Sequence, residues 1–299
     1  MISVIIPLYN KEKSIQSTVE SVLFQEMDQF ELIVVDDGSE DRSREVVEAI
    51  DDPRIRLISQ KNGGISAARN RGIAESSYPI VSFLDADDIW EPEYLSEITH
   101  LISSYPEAGV WATAWSYMIH GEKRIPTFNL EDGFEGIIEN YWTLVQPVHL
   151  LMSSCVTVQK SLFDKAGLFD TRITTGMDQD MWVRLMLHAR LAYSSKKLAN
   201  YRLTAENRVS QMKHRSEGRW LYFNEKYNPY REQDFDFRKF IDLKCIRQAY
   251  PRYRKHPEDE YVSVLLEHVR FDLQSSRWQR IHRHPLLWGL YYRFRSYMS

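Results

Sequence analysis

Cysteine is scarce in this chain: two in 299 residues, Cys155 and Cys245, without metal-site spacing. That is too few for a disulfide framework, and buried thiols are the expectation for both. Long apolar runs are also missing. No stretch approaches the roughly 18 uninterrupted apolar residues of a membrane span, and Met1-Ile2-Ser3-Val4 has neither the basic start nor the long apolar middle of a signal peptide. The chain is therefore expected on the cytosolic side. No internal repeat or low-complexity segment is present, and 43% apolar with 27% charged residues lies far from the composition of disordered chains. No Gly-x-Gly-x-x-Gly follows the first apolar run and no Gly-Lys-Ser/Thr occurs, so the dinucleotide and P-loop fingerprints are absent.

What is present is a sharp charge asymmetry. Lys+Arg against Asp+Glu gives 9 and 20 over residues 1–100, 9 and 10 over 101–200, and 20 and 12 over 201–299. An acidic N-terminal third argues against a nucleic-acid groove there, while carboxylates crowded at strand ends can hold a divalent cation. The basic C-terminal third suits an anionic surface. At roughly 150 residues per domain, the length allows two domains or one large α/β domain with an appendage.

The first hundred residues alternate between strand and helix patterns. Ser3-Val4-Ile5-Ile6-Pro7 is a continuous apolar run of the kind buried on both faces, and Ile15, Val19, Val22 and Leu23 follow at helical spacing. Strands are predicted at 31–35, 55–58 and 80–84, and helices over about 41–50 and 66–74. Such alternation means an open, mostly parallel sheet, whose ligands bind beyond the carboxyl ends of the strands. Further on, 109–115 and 154–158 read as strands and 178–188 as a helix. Residues 215–299 read as mostly helical, broken at Pro229, Pro251, Pro257 and Pro285.

Polar residues gather at the predicted carboxyl ends: Tyr9-Asn10, Asp36-Asp37-Gly38-Ser39 and Asp85-Ala86-Asp87-Asp88. The last turn offers hard oxygen ligands of the kind that present Mg²⁺ to a diphosphate; capping of the next helix is the plainer alternative. In the second cluster, a turn and helix cap explain Gly38 and Ser39 but not two adjacent carboxylates. A carboxylate there can accept a uracil ring N–H or ribose hydroxyls. Asn62-Gly63-Gly64 with Arg69-Asn70-Arg71-Gly72 places backbone amides and arginines where they can meet an anion.

Taken in order, Val4-Ile5-Ile6-Pro7-Leu8-Tyr9-Asn10, Ser21-Val22-Leu23-Phe24-Gln25, Glu31-Leu32-Ile33-Val34-Val35-Asp36-Asp37-Gly38-Ser39, Asn62-Gly63-Gly64, Ala68-Arg69-Asn70 and Phe83-Leu84-Asp85-Ala86-Asp87-Asp88 resemble the family-2 glycosyltransferases. The match covers residues 3–95 and resumes near 153–210. It implies a GT-A fold: α/β, Rossmann-like, with a mostly parallel sheet flanked by helices and a mostly helical C-terminal region. The implied domains are a catalytic unit over 1–210, with a nucleotide-binding half at 1–105 and an acceptor half at 106–210, and a helical region over 211–299. Pro7, Tyr9, Asp36, Asp37, Arg69 and Asp85 become the nucleotide-binding residues. Tyr9 stacks on the base, Asp37 takes its ring N–H, Asp85 touches the ribose, and Asp87 holds Mn²⁺ or Mg²⁺ on the diphosphate.

Gly176-Met177-Asp178-Gln179-Asp180 looks like the family's acidic motif, which makes Asp178 the general base of an inverting transfer. Asp180 then caps the helix or pairs with Arg184, four residues on. Two departures stand out: Met177 replaces a common glutamate, and no histidine stands near Thr204, where many relatives carry one that assists the metal, which leaves that task to Asp87, water and the donor phosphates, or to help from Asn207. His149 has no motif around it and is read as a satisfied core or surface histidine.

The resemblance implies a metal-dependent hexosyl- or N-acetylhexosaminyl-transferase. It moves a sugar from a nucleotide diphosphate, expected to be a UDP-sugar, to a glycan or lipid-linked acceptor in cell-envelope polysaccharide biosynthesis. A nucleotidyltransferase and an inactive nucleotide-sugar-binding subunit are the alternatives. The basic, aromatic stretch 277–295 suits peripheral contact with the inner face of the plasma membrane, or packing on the catalytic domain or on a twin subunit in a homodimer.

Overall fold

The computed structural model describes residues 1–145, 149–207, 217–253, 262 and 265–274. The chain divides into two compact units, Met1–Lys213 and His214–Ser299.

The first unit is built outward from β1 (Ile2–Leu8), buried at every position. A strand covered on both faces needs no polar side, which is why its sequence runs apolar without alternation. β2 (Phe30–Asp36) pairs with it in parallel, Ile5 opposite Ile33, and β3 (Ile55–Ser59) extends β2 in the same sense. On the other flank is β4 (Ile80–Phe83), also parallel, with Phe83 opposite Ile5. Helices α1 (Ile15–Leu23), α2 (Ser43–Glu48) and α3 (Ile65–Glu75) make the crossovers, α2 being shorter than its pattern predicts. α3 lies tight on β1. A Cβ at Gly72 would come within 2.3 Å of Ile5 Cγ2, so glycine alone permits this approach.

Beyond β4 come β5 (Ile89–Trp90), α4 (Tyr94–Ser104), β6 (Gly109–Ile119), β7 (Glu122–Arg124), β8 (Glu135–Ile137) and α5 (Tyr141–Leu144). β9 (Val156–Gln159) then inserts between β4 and β6, antiparallel to both. The predicted strand at 154–158 is thus cut short at its start, because Ser153–Cys155 form a 3₁₀ turn. After α6 (Leu162–Ala166) and α7 (Met177–Met186), β10 (Arg190–Arg202) runs parallel to β6, so the sheet order is β3-β2-β1-β4-β9-β6-β10-β5. The sequence pattern predicts no strand after α7, yet β10 is 13 residues long. A register shift between Ser194 and Lys197, at the paired lysines, breaks the alternation that would have marked it.

The second unit contains α8 (Glu217–Tyr227), a 3₁₀ turn at Asn228–Tyr230, and α9 (Phe235–Tyr253). Phe223, Tyr227 and Phe237 meet edge to face, and Arg231 pairs with buried Asp242 at 3.2 Å. Pro229 interrupts the helices as predicted, but Pro251 does not: it lies inside α9 near the end, where a missing N–H loses one bond without stopping the helix. Pro257, Pro285 and the 277–295 stretch lie outside the described residues. Both cysteines are free and buried. Among the described residues no helix is long and apolar enough to cross a membrane.

Candidate active site

The loops leaving β1 and β2 are sewn together at the carboxyl edge of the sheet. Asp37 N–H donates to Leu8 O at 2.8 Å, Asn10 N–H donates to Ser39 Oγ at 3.1 Å, and Asn10 Oδ1 accepts from Glu40 N–H at 2.8 Å. Asn10 adopts φ 50°, a left-handed turn that asparagine tolerates. Tyr9, half-buried, is thereby held beside the Asp36-Asp37 turn. Pro7 lies one residue below the end of β1, buried and opposite Val35.

The two carboxylates of that turn organise separate things. Asp36 accepts from Ser39 N–H at 3.0 Å and closes its own turn. Asp37 gathers the loop before α3: Oδ1 accepts from Gln60 Nε2 at 2.7 Å and Gly63 N–H at 2.9 Å, and Oδ2 accepts from Gly64 N–H at 2.7 Å. The amides expected to meet an external anion are therefore engaged by an internal one. Gly64 at φ 86° gives the loop its turn into α3.

Arg69 projects from α3 and is 2% exposed. One terminal nitrogen donates to Asp85 Oδ1 at 2.6 Å and the guanidinium lies 5.2 Å from the Phe169 ring, while Nε and the other terminal nitrogen have no hydrogen-bond partner. A buried guanidinium with two idle donors is costly unless a ligand completes it.

The Asp85–Asp88 turn is dense in charge. Asp87 Oδ2 pairs with Lys11 Nζ at 2.7 Å. Asp88 accepts from Ser154 Oγ at 2.5 Å and Arg202 N–H at 3.1 Å, and Ser154 Oγ also accepts from Asp85 N–H at 3.1 Å. The Arg202 side chain donates to Asp87 O, to Ser17 Oγ at 2.8 Å and to Thr18 Oγ1 at 3.0 Å, tying the turn to α1. Burial pushes the Asp87 carboxyl up, against the pull of Lys11. It pushes Asp88 up much further, with Asp87 and Asp85 adding like-charge repulsion. Burial also lowers Arg202, against the carboxylates around it.

Asp178 stands half-buried in the first turn of α7, two residues after the N-cap Gly176 at φ 76°. Asp180 is fully buried and pairs with Arg184, whose Nε donates to it at 2.9 Å, as the spacing predicts. Asp178 lies within electrostatic reach of Tyr141, whose phenol is pushed up by burial first, then by Cys155 and Asp178. The His149 carbonyl accepts from Trp115 Nε1 at 3.2 Å, and its ring Nε2 lies 3.5 Å from Gln179 Nε2 of α7, next to Asp178 in sequence.

Sequence reasoning missed Lys11, Arg202, Ser154 and Glu206. Lys11 directly follows the Tyr9-Asn10 pair, and that adjacency was its only signal; the others act through the fold. Asn207 takes part through its backbone carbonyl, which accepts from Lys11 Nζ at 3.1 Å.

Two carboxylates of the turn, Asp85 and Asp87, could meet a hard cation. The described residues contain no cluster of three metal-ligating side chains. Each recorded ion pair of Asp85 and Asp87 engages one carboxylate oxygen and leaves the second outside that pair. One or two carboxylates completed by phosphate oxygens is how Mg²⁺ is usually held.

The model of the family described as Glycosyl transferase family 2 matches residues 3–165. An uncharacterized glycosyltransferase of Rickettsia bellii is 30% identical over 214 residues, covering 69% of this chain and 29% of its own. The uncharacterized glycosyltransferase EpsJ of Bacillus subtilis is 44% identical over 90 residues, covering 29% of this chain and 26% of its own. The chain thus spans only about a quarter to a third of these relatives. Among solved structures, S. aureus TarS 1–349 superposes with a TM-score of 0.63 over 89% of this chain and 90% of that one, at 19% identity. Its complex with UDP-GlcNAc gives 0.66 over 92% and 76%, at 19% identity, a likeness of fold.

Proposed function

The chain belongs to glycosyl transferase family 2 and has the GT-A fold expected from its sequence, and we propose that it moves a sugar from a UDP-sugar to a glycan or lipid-linked hydroxyl with inversion. The observation that carries this reading is convergence. Tyr9, Asp37, Arg69 and the Asp85–Asp88 turn come from four separate stretches and meet at the carboxyl edge of β1, β2 and β4. The TarS neighbour was solved with UDP-GlcNAc, which supports the choice of a uridine donor.

In this reading Tyr9 stacks on the base, and Asp37 Oδ2, which accepts from Gly64 N–H, also takes the pyrimidine ring N–H. Asp36 holds the turn beneath, Asp85 meets the ribose, and the idle nitrogens of Arg69 reach the nucleotide. Charge counting favours a divalent cation. Lys11 and Arg69 are already paired with Asp87 and Asp85, and Asp36 and Asp37 add two carboxylates at the same edge, so the diphosphate of a donor meets no surplus of positive charge there. Asp87 would hold Mn²⁺ or Mg²⁺, which would supply positive charge to the departing diphosphate. Asp178 accepts the proton of the acceptor hydroxyl as its oxygen attacks the anomeric carbon, and the bond from that carbon to the diphosphate breaks on the opposite face.

Titration calorimetry with UDP and GDP, each with Mn²⁺ or with a chelator, tests the donor half. Metal-enhanced UDP binding tighter than GDP binding is expected. Release of UDP from a UDP-sugar tests the chemistry. GDP preference would overturn the base assignment, and donor binding without any sugar release would mark an inactive binding subunit.

A further inference from the structure

The acidic turn already carries a cation of its own. Lys11 is 8% exposed, and its ammonium has three donors. These meet three acceptors: Asp87 Oδ2 at 2.7 Å, the carbonyl of Glu206, and the carbonyl of Asn207 at 3.1 Å. The same stretch is fastened a second time, because the Glu206 carboxylate accepts from Ser14 Oγ at 2.6 Å and from Lys13 N–H at 3.1 Å. Leu203–Asn207, the continuation of β10, is therefore strapped to the start of α1 by Lys11 from one side and Glu206 from the other. Asn207 holds φ 46° within that strap.

A divalent cation on the Asp87 carboxylate and an ammonium on the same group repel one another in a poorly solvated site. A doubly charged diphosphate beside them offers the ammonium a better anion than a half-neutralised carboxylate.

Resting on the donor reading above, we propose that Lys11 is a donor-binding residue and a latch. Its ammonium holds Asp87 and the strap while the site is free of donor. It turns to the diphosphate oxygens when the metal-bound donor takes Asp87, and the carbonyls of Glu206 and Asn207 are released as it turns, which loosens the strap while the Glu206 carboxylate keeps its own fastening. The step is an exchange of ion-pair partners; no covalent bond changes.

Three binding measurements on the full chain test this. Mn²⁺ alone is expected to bind Lys11→Met roughly 10–100-fold more tightly than wild type, because no ammonium competes. UDP with Mn²⁺ is expected to bind the variant weaker by a similar factor. Amide exchange across 203–207 of the wild type is expected to quicken when UDP and Mn²⁺ are added. Unchanged affinities, or a loss of both, overturn the exchange. Should Lys11→Met fail to fold, the wild-type amide exchange decides, and an unchanged strap overturns the proposal. A wild type that binds no UDP in any metal overturns the donor reading itself, and the latch falls with it.

Discussion

Asn70 of α3 holds both backbone groups of Phe169: its Oδ1 accepts the Phe169 N–H at 2.9 Å and its Nδ2 donates to the Phe169 carbonyl at 2.8 Å. This clamp joins α3, which packs on β1, to the loop that leads into α7. Phe169 in turn packs edge to face on Phe83 at 5.5 Å and on Trp182 at 6.1 Å, and lies beside Arg69. The amide of Asn70 thus sets the spacing between Arg69 and the helix that carries Asp178.

Replacing Asn70 by Ala leaves the Phe169 groups without their partner, at about 1–3 kcal/mol of stability. Turnover should fall while UDP affinity is kept, since Arg69 itself remains. Denaturant melts with calorimetry on the same preparation check this. A loss of UDP affinity equal to the loss of turnover would place Asn70 in the nucleotide site instead.

Asp87→Asn removes the only charge that both Lys11 and a metal are assigned. The affinity for UDP in Mn²⁺ should drop to the value seen with a chelator. Retention of the full metal-linked increment would take Asp87 out of metal binding.

Glu31 of β2 makes an acid-sensitive joint beneath the site. Its Oε1 accepts from Ser3 Oγ at 2.6 Å and Ser77 N–H at 2.5 Å, and its Oε2 accepts from Ser77 Oγ at 3.0 Å and Arg56 at 3.1 Å. Burial raises this carboxyl, but the four donors together outweigh burial and hold it below its ordinary value. A carboxyl depressed in the folded state stabilises fully above its unfolded pKa, and that contribution is lost as pH falls through the folded pKa. Glu31→Gln should cost about 1–3 kcal/mol near neutrality and flatten the loss of stability in acid. Urea midpoints of both proteins across that range check it; parallel acid profiles would refute the role.

β1 and β2 were legible because each is buried on both faces and so announces itself as an apolar run, Val4-Ile5-Ile6 and Leu32-Ile33-Val34, whereas β3 at the sheet edge is only partly buried and showed through Ile55, Leu57 and Ile58. β10 was hidden because its bulge brings Lys196 and Lys197 into the run, and β5 because two residues are too short to show a period. Within the site, the aspartates could be named from sequence because their order matches the motifs of the family, although Asp36 and Asp37 also hold the local turns together. Lys11 could not: its task depends on Asp87, 76 residues away, and on the carbonyls of residues 206 and 207, and no local pattern encodes such a meeting. Gly63 and Gly64 were legible as a loop, but their commitment to Asp37 emerges only when β2 and α3 are side by side.

Asp178 carries the most decisive test, because two roles at one position predict opposite results. It lies in the first turn of α7, where a carboxylate favours the helix dipole, and within electrostatic reach of Tyr141. Asp178→Asn is nearly isosteric, so folding and UDP-sugar binding should survive. As general base, the carboxylate is expected to contribute roughly 10²–10⁴-fold to turnover, and that factor should vanish in the variant. If Asp178 served only the start of the helix, asparagine would do almost as well and turnover would hold. Turnover and donor affinity measured on one purified variant separate the cases: near-wild-type turnover removes Asp178 from the chemistry, and a loss of donor affinity alone moves it to the nucleotide site.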